Sequence, residues 1–236
     1  MGTSIKLSVS QQQALNKRHR KARLFSHLCG FFTWMGTALL LVLLFQIFSD
    51  GLRWLDLDFL NSFPSRFPER AGIKSALVGT LWLIGLVAVI SIPIGVATAT
   101  YIEEFGSRSR LAAFIDINIS NLAGVPSIVY GILGLTIFVR GLALERSLIA
   151  GALTMSLLIL PVIIIASKEA IKTVPMSIRH AAIALGATPW QTVWSHVLPA
   201  SFPGILTGVI LALSRAIGET APLVMIGALT YVAFVP

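Results

Sequence analysis

The stretch SRAIGETAPL, Ser214 to Leu223, sets a guanidinium and a carboxylate four residues apart in one of the most apolar regions of the chain. On a helix, positions i and i+4 share a face, so Arg215 and Glu219 are spaced to pair. If that helix begins near Pro203, Arg215 lies about 18 Å along it, near the middle of a hydrocarbon layer about 30 Å thick. An unpaired charge at that depth costs about 2.5–3.5 kcal/mol. Two uses fit such a pair. It can lock the helix to its neighbours, or it can line a path for an anion. Desolvation consumes most of what a buried ion pair gains, so it is poor glue. Ionisable groups inside membranes usually face a pathway. A guanidinium presents several donors in a fixed fork, which suits a tetrahedral oxyanion. Glu219 would then hold Arg215 and keep the empty site near neutral, with the Thr220 hydroxyl beside it.

Little else in the chain has the makings of chemistry. The four histidines (His19, His27, His180, His196) form no ligand spacing, and no metal site is expected from them. Cys29 lies in an apolar run and reads as a buried, inert thiol; one cysteine excludes an internal disulfide. No serine–histidine or paired-aspartate set falls at membrane depth, where Asp116 stands alone, so an intramembrane enzyme is disfavoured. The glycine-rich loop that cradles nucleotide phosphates is absent, so this sequence carries no ATPase of its own.

The elements that must position Arg215 are membrane helices. The chain has 236 residues, 56% hydrophobic and 12% charged, about half the charge of a soluble domain. The sequence predicts an all-α, polytopic transmembrane bundle. A basic tail, residues 1–27, precedes an apolar, membrane-spanning region, 28–236. Spans are predicted at Leu28–Phe48 and Ser75–Thr100, through an interrupted Leu111–Val139, at Leu148–Ala166, and from Pro203 onward. Lys and Arg are concentrated in the tail, the 101–110 loop and the loop of about 167–202, which places these on the cytoplasmic side. The net charge of +8 follows those loops and does not indicate nucleic acid.

Gly124-Val125-Pro126 interrupts the third span, and Pro93 the second. Proline lacks an N–H and disfavours helix at the residue before it. These are either ordinary proline kinks or breaks that shape a translocation path, since irregular backbone at membrane depth needs protein or a water-filled cavity around it.

The long loop predicts a helix, a glycine break and a second helix. Gly186 can end the first as a C′ residue. Thr188, Pro189 and Gln191 can start the second as N-cap, N1 and N3 of a capping box, and Leu198-Pro199 closes it. Its small residues suit either a knob for a partner's groove or a tight connector packed on its own helices.

Ala181-Ala182, Gly186 and His196-Val197-Leu198-Pro199 resemble, in spacing, the EAA loop of ABC importer permeases, whose pattern is E-A-A, three positions, G, nine positions, I-x-L-P. His180 stands where the glutamate is usual and His196 where isoleucine is common. The resemblance implies that Arg179, His180, Ala181, Ala182, Gly186, Ala187 and Thr188 belong to a loop that docks on an ATP-hydrolysing subunit. IPIGVATATYIEEF at 92–105, NLAGVPSIVYGILG at 121–134 and SRAIGETAPL narrow the likeness to permeases of phosphate ABC importers, the PstA family before its partner family PstC, within the MetI-like class. It implies a PstC-like permease beside this chain, a dimeric PstB-like ATPase that binds ATP and Mg, and a PstS-like periplasmic phosphate-binding protein. It also implies a bacterial inner-membrane location, a path through Arg215, Glu219 and Thr220, and no cofactor on this chain. Permeases for another oxyanion, and an autonomous anion channel or secondary transporter, are the alternatives; a self-sufficient carrier needs no ATPase dock. Family members carry one more helix than the five crossings predicted here, so the sixth is expected to be missing, through a fragment or a truncated gene.

Overall fold

The computed structural model describes residues 9–106 and 109–227. The apolar tail expectation beyond Gly227, Lys6 and Arg108 lie outside the described residues. The chain divides into two units, Met1–Leu60 and Asn61–Pro236.

The first unit is built on α1, Val9–Gly51. Its 43 residues run about 64 Å, twice the hydrocarbon thickness. The basic segment is therefore no separate tail: Arg18, Arg20, Lys21 and Arg23 continue the same helix as the apolar span and are exposed. Cys29 is exposed on the surface of α1, not buried. An apolar run reads as interior in a soluble protein, but around a membrane span the apolar phase is lipid. The short α2, Leu57–Asn61, follows.

The second unit is a helix bundle centred on α6, Leu148–Lys172. Ser147 caps it by accepting from the Ala150 N–H at 3.2 Å. Met155, Ile159, Ile163 and Ile171 on α6 are almost wholly buried, so this helix is apolar on several faces because it is surrounded. Around it pack α3, Lys74–Thr100, and α9, Leu198–Gly218, together with α4, Arg110–Ala123, and α5, Ser127–Gly134. Small residues set the close approaches. A methyl on Gly95 of α3 would stand 2.5 Å from Ile163, and one on Gly208 of α9 would stand 2.5 Å from Ala166. Gly134 sits against Thr154 in the same manner. Such contacts let helix backbones come together without a hydrophobic force between them.

Four helices among the described residues are long and apolar enough to cross a membrane; counting α4 and α5 with its continuation as one bent span makes a fifth. That pair turns by 106°. The turn falls at the predicted Gly124–Pro126 interruption. The Tyr130 hydroxyl donates to the Leu122 carbonyl at 2.7 Å, which also accepts from the Val125 N–H at 3.0 Å, so the side chain fastens α5 across the turn to the end of α4. α4 is tied to the end of α6 by the Lys168–Asp116 ion pair. Asp116 is thus not alone, as the sequence suggested. Its partner is 52 positions away, beyond the reach of local pattern.

Pro93, by contrast, does not break α3, which runs unbroken from Lys74 to Thr100. It lines an apolar groove of about 1010 Å³ between α3 and α9, with Val96, Phe202 and Leu206. Among the described residues, π-turns finish the helices begun by α3 and α5, at Tyr101–Phe105 and Leu135–Gly141, and another, Val193–Val197, leads into α9.

Candidate functional site

Residues 173–199 form the projecting end of the bundle. α7, Met176–Ala184, ends as the sequence predicts. Gly186 has φ +89°, in the left-handed region that glycine occupies without strain. The Ala187 N–H donates to the Ala182 carbonyl at 3.1 Å and the Gly186 N–H to the Ile183 carbonyl at 2.9 Å, the paired bonds of a Schellman motif. α8, Pro189–Thr192, then starts with the full capping box. The Thr188 N–H donates to Gln191 Oε1 at 2.9 Å, and the Gln191 N–H to Thr188 Oγ1 at 3.3 Å.

The second helix does not close at Leu198-Pro199. It passes through the π-turn Val193–Val197 straight into α9, with Pro199 in the first turn. The π-turn loosens the backbone just ahead of the ring, which lets the rod continue through Pro199. The loop therefore ends against a continuous rod, Pro189–Gly218. Anything that pushes on α8 pushes on α9.

The tip is bare. Leu185 is 90% exposed, and Ile183 and Ala184 are exposed beside it. A methyl on Gly186 would meet nothing within 4 Å, so nothing among the described residues covers the turn. Ala182 alone among the alanines of α7 is buried. The connector reading leaves this tip unpacked; the knob reading uses it. Leu185 was not singled out by the spacing argument, which follows small residues and so passes over a large one.

Arg179 is placed otherwise than a docking residue. Its side chain is 11% exposed, turned inward. Nε and Nη2 donate to the Glu104 carboxylate at 3.1 and 2.5 Å, and Nη1 and Nη2 to the Val174 and Ile171 carbonyls at 2.6 and 3.2 Å. Glu104, 75 positions earlier in the chain, was missed. The only signal was two acids ending an apolar span, which reads equally well as a solvated helix end. His180 and Ala181 are exposed.

The second predicted cluster lies at the junction of α9 with the helix that follows it. α6 and α9 run antiparallel, with Gly204 against Ala170 and Gly208 against Ala166. Four residues up α9 match four back along α6, so the same register sets Arg215 level with Ile159, near the middle of α6. Arg215 is exposed on the chain's surface at that level, and Glu219 is half-buried. They form no ion pair. α9 stops at Gly218, and Glu219 is extended, with φ −89° and ψ 109°; the i, i+4 geometry the spacing assumed requires one helix through both residues. Helix resumes as α10, Ala221–Ile226, with the exposed Thr220 before it. The break at Glu219–Thr220 is a second irregular stretch between helices. Gly131 of α5 receives Pro222 and Met225 of α10, so α10 docks on the helix that follows the Gly124–Pro126 break. α10, which follows one break, packs on α5, which follows the other, and irregular backbone at membrane depth belongs only beside protein or a water-filled cavity. None of Arg215, Glu219 and Thr220 lines the groove that holds Pro93.

Comparison with known proteins agrees with this architecture. The chain is 37% identical over 175 residues to the phosphate transport system permease protein PstA 1 of Mycobacterium tuberculosis, covering 74% of this chain and 57% of the relative. It is 34% identical over 181 residues to PstA of Haemophilus influenzae, covering 77% and 64%. It is 33% identical over 193 residues to the probable ABC transporter permease protein YqgI of Bacillus subtilis, covering 82% and 66%. The chain therefore spans between a half and two thirds of the length of these relatives. Its fold is similar to that of a chain in the inward-facing MetNI methionine ABC transporter, with a TM-score of 0.54 at 20% identity over 64% of this chain and 71% of the other. The family described as binding-protein-dependent transport system inner membrane component matches residues 91–234, more than half of the sequence. This polytopic helical chain belongs to that family of ABC transporter permeases.

Proposed function

We propose that this chain is a transmembrane subunit of an ATP-driven phosphate importer in a bacterial inner membrane, with its N-terminus in the cytoplasm. It passes inorganic phosphate handed over by a PstS-like periplasmic binding protein. A PstC-like permease completes the path, and a dimeric PstB-like ATPase binds ATP and Mg and supplies the work. The names of the relatives support phosphate as the substrate.

The observation that carries the reading is the exposed, Schellman-terminated tip at Leu185–Gly186, joined through α8 to the continuous rod of α9, which bears Arg215 level with Ile159 of α6. A partner gripping the tip acts directly on the helix that presents the guanidinium. Without an ion pair to Glu219, Arg215 keeps its donors for an oxyanion, and Glu219 and Thr220 at the break supply a nearby carboxylate and hydroxyl. Arg215 also lies in the last turn of α9, where the helix dipole favours a cation.

The test is uptake of radiolabelled phosphate by the assembled complex bearing Arg215→Ala or Arg215→Lys. Both should transport at a small fraction of the wild-type rate, with lysine no substitute for the fork. Wild-type uptake by Arg215→Ala removes Arg215 from the path. Inhibition by sulfate or molybdate as strong as by unlabelled phosphate would reassign the substrate to another oxyanion.

A further inference from the structure

We infer that the Arg179–Glu104 pair is the link through which movement of the 173–199 loop is handed to α3, which makes both groups positioning residues of transport. The inference rests on the proposal that this loop docks an ATPase.

One guanidinium joins three elements. Arg179 sits on α7, Glu104 lies in the π-turn after α3, the Ile171 carbonyl belongs to the last turn of α6, and the Val174 carbonyl to the connection that follows it. The two side chains are 11% and 9% exposed. Arginine's planar fork fixes direction as well as distance, because Nε and Nη2 address the carboxylate while Nη1 and Nη2 reach the two carbonyls.

The π-turn is what brings Glu104 to this point. A π-turn adds a residue to the helical turn, and one residue rotates the following side chains by about 100°. Without that insertion, the second carboxylate of Glu103-Glu104 would leave the α7 side. Glu103 stays half-exposed. A helix end that needed only to be soluble has no use for this adjustment.

Stability is a weak reason for the arrangement. Desolvating two charges cancels most of their attraction, and apolar replacements often do as well. A directional link gives such a pair a better reason to exist. α7 is joined to α6 by the short Thr173–Pro175 connection, and it touches α8 and the π-turn before α9. Those contacts drive α9. Beside them, the Phe105 and Trp190 rings meet at 6.2 Å between the turn after α3 and α8; the Arg179 bonds add the directional tie from α7 to that same turn, through which α3 is carried with the loop.

The experiment uses the full complex reconstituted in proteoliposomes. Phosphate taken up per ATP hydrolysed is measured for wild type, Glu104→Gln, Arg179→Gln and the exchanged pair E104R/R179E. ATPase retention on purification is measured beside it. We expect Glu104→Gln to keep the ATPase and its hydrolysis while uptake per ATP falls at least tenfold, and the exchange to recover part of that ratio. An unchanged ratio in Glu104→Gln overturns the link. Failure of the wild-type chain to retain an ATPase overturns the docking proposal instead. Where the single variants do not assemble, spin labels at the exposed Ser177 and Tyr101 of the otherwise wild-type complex decide. Their separation should stay constant between nucleotide-free and ATP-bound states while each moves against a label on α6; a changing separation refutes the link.

Discussion

Replacing Leu185 with alanine isolates the docking surface from the fold. The side chain is 90% exposed, so the folded chain loses almost no packing, and stability should change by less than about 0.5 kcal/mol. In the assembled complex the account places this side chain in a partner's groove. Leucine to alanine removes three carbons. At about 0.8 kcal/mol per buried CH₂ that is about 2.4 kcal/mol, or about a fifty-fold weaker association. The helix turn itself is kept, because the Schellman bonds run between backbone groups of Ala182, Ile183, Gly186 and Ala187. The assay is titration of the purified ATPase onto the permease pair in nanodiscs, with thermal unfolding of the pair as control. A fifty-fold loss at unchanged unfolding temperature meets the expectation. Unchanged affinity would show that the tip projects past the partner, and the reasoning from exposure to docking fails. A large drop in unfolding temperature would show instead that Leu185 is packed in the pair.

Gly186→Ala should destabilise the turn by about 1–2 kcal/mol through its φ of +89° alone, and Gly186→Asn by less; hydrogen exchange at Ala187 reads both. Gly208→Val should cost about 1–3 kcal/mol by overpacking against Ala166, whereas Gly218→Ala, with nothing within 4 Å, leaves the unfolding temperature of the complex near wild type. Asp116→Asn strands Lys168, which is 13% exposed, but water reaches the 37% exposed aspartate; the loss should be about 1–2 kcal/mol in thermal unfolding.

The fold was readable where the signal is local. Span lengths follow from apolar runs, and the loop's turn from Gly186, Thr188 and Gln191, whose hydrogen bonds join residues a few positions apart. The bend at Gly124–Pro126 was readable as an interruption, though not its 106°, which Tyr130 and the Asp116–Lys168 pair fix from outside the local sequence. Arg179–Glu104 was invisible because a one-residue π-insertion decides which acid turns inward, and no periodicity argument registers it. The Arg215–Glu219 spacing misled for a related reason. The i, i+4 rule holds only within one helix, and Gly218 allows the helix to end between the two residues. Pro93 and Pro199 were over-read as punctuation; in an apolar phase with no competing water, the rest of the helix holds its hydrogen bonds around a single proline.

Phosphate uptake by reconstituted vesicles tests the central claim most directly. The chain is assembled with its partner permease, the ATPase and the binding protein, and labelled phosphate is supplied on the binding-protein side. The account predicts uptake that requires both ATP and the binding protein and that is lost in Arg215→Ala. Phosphate flux through this chain without the ATPase, or unaltered flux in Arg215→Ala, contradicts it.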